Sequence, residues 1–173
     1  MALPMTPIFT QTVGAGGASS ITFNNIPQHF TDLKLVMSIR DSSAFNAVVN
    51  YIRFNGDSSN LYTYTRLQGN GGSAGSDRAT STNAAVSCVC NAATSTSNTF
   101  SSAELYIPNY TSSDFKAFTS DSVMEDNASI AYTYLLACLY RGTSAITSMT
   151  LFPNSLFAQY STFSLYGIIR SGV

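Results

Sequence analysis

Tryptophan is absent from this chain, histidine occurs once, and lysine and glutamate occur twice each, at Lys34, Lys116, Glu104 and Glu125. Lysine and glutamate normally solvate exposed helices, so an ordinary helical protein is excluded. Charged residues fill 10% of the 173 positions, against about a quarter in a typical soluble domain. With a formal net charge of -1 and no run of like charge, the chain has no basic surface to meet a nucleic-acid backbone. Long hydrophobic runs are missing too. The longest, Leu135 to Tyr140, is too short to cross a membrane. Met1 to Ala18 lacks both the basic and the apolar region of a signal peptide. A soluble protein made in the cytosol is expected, with neither nucleic acid nor membrane as a partner.

The residues of catalysis are equally scarce. Any serine or cysteine nucleophile would depend on His29, in Ile26-Pro27-Gln28-His29-Phe30, which reads as a surface loop. No Gly-x-Ser-x-Gly elbow is present. The seven aspartates fall mostly in Ser/Asn/Gly turns, where capping explains them better than a desolvated carboxylate pair. Asn55, Asp57, Ser59 and Asn60 gather oxygen atoms in one loop but miss the order of a calcium-binding hand. Gly14-Ala15-Gly16-Gly17 lacks the Lys-Ser/Thr of a phosphate cradle. Cys88, Cys90 and Cys138 are an odd set whose first two members share a strand, so they read as small core hydrophobes rather than a disulfide or zinc site. No catalytic residue, cofactor or metal is expected, and the chain reads as a non-enzyme.

What is present is period-two patterning. Serine, threonine and asparagine together supply 58 residues, and 45% of the chain is hydrophobic, with 11 Phe and 10 Tyr. That is too apolar for disorder. In Leu33 to Arg40 the odd positions are apolar while Lys34, Ser38 and Arg40 take the other face. Ile21 to Phe23 and Ala103 to Ile107 alternate likewise, and Ala131 to Tyr140 is apolar on both faces, as in a covered strand. Val48 to Phe54, Tyr62 to Leu67, Ala84 to Cys90, Phe115 to Thr119, Ile146 to Phe152 and Phe157 to Ile169 complete about ten strands. Gln68 to Asp77, with Gly69, Gly71, Gly72 and Gly75, reads as a flexible loop, and Val123 to Ile130 is the best candidate for a turn or two of helix. The expected fold is all-β with almost no helix: a two-sheet antiparallel sandwich in the jelly-roll style.

Scarce charge also bears on assembly. Strand edges of a monomer are usually guarded by lysine, proline or bulges, and a charge-poor surface self-associates. This chain has almost no lysine for that purpose, so its edges are expected to be covered by neighbouring subunits. Residues 1–20 are expected to form an extended N-terminal arm and 21–173 a single sandwich domain. Pro4, Pro7, Ile8 and Phe9 should dock the arm on a partner. Tyr62 and Tyr64 are candidate interface residues, since tyrosine with Ser, Gly and Asn suits adaptable binding surfaces; a plain sandwich covering is the alternative reading.

The motifs resemble a known group. Phe23-Asn24-Asn25-Ile26-Pro27, Thr31 to Val36 and Ile52-Arg53-Phe54-Asn55-Gly56-Asp57 are similar to the N-terminal half of β-rich virion proteins of tailed bacteriophages. Tyr106-Ile107-Pro108-Asn109-Tyr110, Ile146 to Leu151 and Gln159 to Ile168 continue the likeness. Each string is a strand with its turn, and none is a catalytic signature. The resemblance implies a structural protein of the phage particle, commonly a homotrimer, made in the host cytoplasm and placed on the virion. Two roles compete. A capsid decoration, or cement, protein binds across several subunits of the major capsid protein and resists internal pressure. A tail or head fibre domain presents loops to a host receptor, but needs a shaft or anchoring domain, neither of which is expected here. A glycan-binding or glycan-cleaving accessory protein is the third reading.

Overall fold

The structure, a computed structural model, describes residues 5–128 and 130–169. The strands are β1 (Met5–Thr12), β2 (Ile21–Phe23), β3 (Asp32–Ile39), β4 (Ala47–Phe54), β5 (Tyr62–Gly69), β6 (Ala74–Thr82), β7 (Ala85–Asn91), β8 (Ser101–Pro108), β9 (Lys116–Met124), β10 (Tyr132–Tyr140), β11 (Met149–Phe152) and β12 (Thr162–Ile168). They form two antiparallel sheets, one of eight strands in the order β1-β12-β3-β8-β9-β10-β5-β6 and one of four in the order β2-β11-β4-β7. The fold is therefore the expected two-sheet sandwich, with twelve strands rather than ten and sheets of unequal width. No described residue is helical, and the helix candidate Val123 to Ile130 begins as the end of β9 and continues into a bend in which Asn127 has φ 55°.

The two additional strands are β1 and β6. Gln68 to Asp77 is the tip and flank of a hairpin in which Asn70 Oδ1 accepts from the backbone of Gly72 and Ser73, at 3.1 and 2.7 Å. Met5 to Thr12 is extended, as expected of the arm, but it pairs with β12 of its own chain. Val13 and Ser161 continue that union through a 2.8 Å backbone bond, and Ala18 bridges Phe157. Gly17, with φ +77°, allows this close approach, because a Cβ there would lie 2.8 Å from the Phe157 carbonyl oxygen. The first described residues are thus part of the sandwich.

The core lies between the sheets and is built from alternate residues. Leu33, Leu35, Met37 and Ile39 of β3, Ile52 and Phe54 of β4, and Leu105, Phe163 and Leu165 all belong to one buried cluster. Phe54 sits in an aromatic cluster, with ring centroids 5.2 Å from Phe118, 5.5 Å from Tyr140 and 6.3 Å from Tyr62. Cys88, Cys90 and Cys138 are buried and unpaired, as their apolar patterning implies.

Polar composition has local causes. Asn25, Asn55, Asn98, Asn109 and Asn127 all adopt positive φ, the left-handed conformation that asparagine tolerates, and so turn the chain between elements. Asp41 is buried and accepts from the backbone of Ser43, Asn154 and Ser155, joining two loops. Arg40 donates to the carbonyls of Ser95, Thr96 and Thr99 at 2.8 to 2.9 Å. Buried Lys116 donates to Gly142 and Ser144 carbonyls, at 3.2 and 2.7 Å, and desolvation lowers its pKa.

Candidate interaction surface

The small sheet covers only one face of the large one, so the other face is open to solvent. The pairing register arranges that open face in cross-strand rows. One row runs Val36, Glu104, Asp121, Leu135, Leu67 and Ser76 across β3, β8, β9, β10, β5 and β6. A second runs Lys34, Tyr106, Thr119, Ala137, Thr65 and Arg78. Paired residues in a sheet point to the same face, which fixes these neighbours together.

This face carries several large exposed apolar side chains. Leu67 is 56% exposed, Leu135 53% and Val123 46%, and Val36 and Tyr106 are also exposed. Leu67 and Leu135 stand directly opposite one another. Beside them lies a small charge cluster. Lys34 Nζ is 2.7 Å from Glu104 Oε2, and Glu104 is paired directly with Asp121. Burial, then the neighbouring Glu104 carboxylate, pushes the Asp121 carboxyl above its ordinary range. Like charges directly opposed in a sheet are destabilising.

The inner face shows the complementary pattern. β7 pairs with β4 on one side only, yet all its residues are buried. Its free backbone edge meets inward-facing serines of the large sheet. The amide of Val89 donates to Ser122 Oγ at 3.1 Å, the amide of Asn91 to Ser101 Oγ at 2.8 Å, and Ser120 Oγ donates to the Ser87 carbonyl. Cys138 Sγ lies 3.8 Å from the Val86 carbonyl oxygen and completes the series. Part of the serine excess thus caps a buried strand edge instead of solvating the surface.

Aromatic rings of β4, β5, β10 and β11 line clefts beside the small sheet. Tyr51, Tyr64, Thr82, Asn83, Ala84 and Phe152 bound one of about 310 Å³. Tyr51 stacks on Phe152 at 5.8 Å, and the Arg53 guanidinium lies 4.7 Å from the Phe152 centroid. Arg66 lies 4.6 Å from the centre of the Tyr134 ring while pairing with both carboxylate oxygens of Asp77 at 2.8 Å.

The residues expected at an interface are not brought together. Pro4 lies outside the described residues. Pro7 is exposed on β1, whereas Ile8 and Phe9 pack partly on the core, with Phe9 stacked on Phe23 at 5.5 Å. Tyr62, far from being a surface residue, is fully buried. The Phe54 amide donates to its hydroxyl at 2.9 Å, and that hydroxyl donates to the Asp57 carbonyl at 3.1 Å. Burial raises its pKa to about 12. Tyr64 is half-buried in the cleft wall. His29 is exposed and rests on the Phe30 ring at 4.1 Å. The oxygens of the Asn55 to Asn60 loop are engaged within the fold. Asn55 Oδ1 accepts from the backbone of Thr147 and Ser148, and Asp57 from Ser59 and the Tyr140 hydroxyl. These bonds, foremost those from Ser59, hold the Asp57 carboxyl below its ordinary pKa. Among the described residues, no three of His, Cys, Asp and Glu gather as a metal site.

Leu67, Leu135, Val123 and the Glu104–Asp121 pair escaped sequence reasoning as a surface. Their signal is the second apolar face of β10, which reads in sequence as a strand covered on both sides. No family model, no curated protein and no solved structure matches the chain.

Proposed function

We propose that the chain is a non-enzymatic structural protein of a bacteriophage particle, a capsid decoration protein that binds across major capsid subunits and stabilises the head. The observation that carries this reading is where the charges are. Asp32, Asp41, Lys116 and Asp126 are buried, where they hold loops through backbone hydrogen bonds. A chain already poor in charge therefore presents a surface of hydroxyls, amides and exposed aliphatic groups. Such a surface associates readily and tolerates close packing against neighbours. The strand-and-turn strings that resemble phage virion proteins supply the setting. The loops clamped by Asp41 and Arg40 give a rigid body, which lowers the entropy cost of fitting into a fixed shell.

The test is location and copy number. Cryo-EM of particles should place many copies over the shell, and particles lacking the protein should lose heat stability. A few copies confined to the tail would overturn the reading. The tyrosine-lined cleft at Tyr51 and Tyr64 favours one second reading, a fibre domain engaging a host-surface receptor. In that case the purified protein should block adsorption, and Tyr51→Ala should abolish the block.

A further inference from the structure

We propose that the open face of the large sheet pairs with the same face of a second copy, about a two-fold axis running over Leu135 and Leu67. This contact is independent of which shell the protein decorates.

Charge supports the arrangement. Glu104 and Asp121 are opposed, and Lys34 is bonded to Glu104 alone of the two among the described residues. The cluster is left net negative and lies among Val36, Tyr106, Val123 and Leu135. A partner must therefore bring a positive group to an apolar setting. Arg78 of the same face meets that need. It sits on β6, opposite Thr65, and is exposed. In the strand order, Glu104 and Asp121 occupy β8 and β9, β10 and β5 follow, and Arg78 is on β6. The midpoint between the acidic pair and Arg78 falls between β10 and β5, where Leu135 and Leu67 face each other. A two-fold axis there, parallel to the strands, carries Arg78 of each copy over Thr119 of the other, two residues or about 7 Å along β9 from Asp121, an offset that an extended arginine side chain spans to reach the acidic pair. The same rotation places the leucines of both copies at the centre. An isologous interface needs this self-complementarity.

Area points the same way. Five strands from β8 to β6, spaced about 4.8 Å apart and eight residues long at about 3.4 Å each, cover roughly 24 by 27 Å. That is roughly 650 Å² from each copy and 1,300 Å² together, above the ~1,000 Å² that a specific contact needs. Two sheets packed face to face at about 10 Å let aliphatic side chains interdigitate while an arginine reaches across. Central leucines ringed by charge pairs match the hot-spot pattern of an apolar centre shielded at its rim.

The experiment is sedimentation velocity of the purified full chain from about 1 to 100 μM, spanning the weak end of affinities for an interface of this size. The expected result is a concentration-dependent dimer. Leu67→Asp with Leu135→Asp should leave a monomer with an unchanged circular dichroism spectrum. Arg78→Glu should weaken dimerisation roughly tenfold or more. Adding Asp121→Arg to Arg78→Glu should restore it, since both partners are reversed in each copy. A monomer at every concentration, a trimer, or a dimer indifferent to either Leu67→Asp with Leu135→Asp or Arg78→Glu would overturn the proposal.

Discussion

The two faces of the large sheet use the same strands in opposite senses. On β9, Ser120 and Ser122 point inward and are buried, whereas Val123 points outward and is half exposed. On β10 the inward residues are Tyr134, Leu136, Cys138 and Tyr140, and the outward set includes Leu135, still 53% exposed. Hydrophobicity alone does not sort these residues. The inward serines are stable because the unpaired backbone of β7 lies opposite them, and a buried amide or carbonyl without a partner costs more than a buried hydroxyl with one. No such demand exists on the open face, and its leucines and valines are the residues that the proposed second copy would cover.

The contrast breaks most visibly at Tyr62 and Leu135. Tyr62→Ala empties a fully buried site stacked 4.8 Å from Tyr140 and strands the Phe54 amide, so it should cost roughly 3–5 kcal/mol in urea unfolding. Leu135→Ala, measured in dilute monomer, should cost much less, since surface substitutions usually lie within about 0.5 kcal/mol. Equal losses would mean that the open face belongs to the core after all.

Serine substitutions sharpen the same point. Ser120→Ala with Ser122→Ala leaves the Ser87 carbonyl and the Val89 amide unpaired inside the fold, and should cost roughly 2–4 kcal/mol. Thr119→Ala, on the outward side of the same strand, should be nearly silent. If the serine pair proves silent too, β7 finds other partners and the explanation of the buried serines fails.

Much of this architecture was legible in the chain, and the exceptions have physical reasons. The inward residues of β3, β8 and β10 alternate because one face of each meets the small sheet, and period two reads that directly. β6 leaves little trace in the sequence because Ala74 to Thr82 is an edge strand exposed along most of its length, so its only apolar residues, Ala74 and Ala79, mark no period. β1 reads as extended but not as part of its own sheet, because Pro7 and a bulge between Pro7 and Phe9 obscure the alternation that ties it to β12. Tyr62 and Tyr64 look alike in sequence. Only the width of the small sheet decides that one lies beneath it and the other lines the cleft. The open face was hidden for a related reason: a strand apolar on both sides reads as central, whether its second side is covered by the same chain or by another.

Alkaline pH separates the faces by a smaller amount. Tyr62 and Tyr140 stack under the small sheet, and desolvation raises the pKa of both, that of Tyr62 from 10.0 to about 12. In the unfolded chain both ionise near 10, so above that pH the unfolded state holds fewer protons and stability falls as pH rises. Tyr62 alone should contribute a loss of roughly 2 kcal/mol by pH 12. Burial also raises the thiols of Cys88 to about 11 and of Cys138 to about 12, so thermal midpoints should fall from about pH 9 upward, and Tyr62→Phe should lessen the drop above pH 10 without abolishing it. A drop unchanged in Tyr62→Phe would place the sensitive group elsewhere.

The smallest expected effect is the most discriminating one. Leu67→Ser with Leu135→Ser changes two exposed side chains that touch no buried layer, so in dilute solution its unfolding midpoint should match the parent within about 0.5 kcal/mol. Mass action makes the parent behave differently as concentration rises. A face covered by a second copy stabilises the folded state, by an amount that grows with the ratio of protein concentration to the dimer dissociation constant. The parent should therefore melt higher at 100 μM than at 1 μM, roughly the range expected to span the dimer transition, while the double variant should melt at one temperature throughout. Parallel behaviour of the two proteins would return the open face to an ordinary solvent-facing surface, and the difference between the two sides of the sheet would then lie only in the serines.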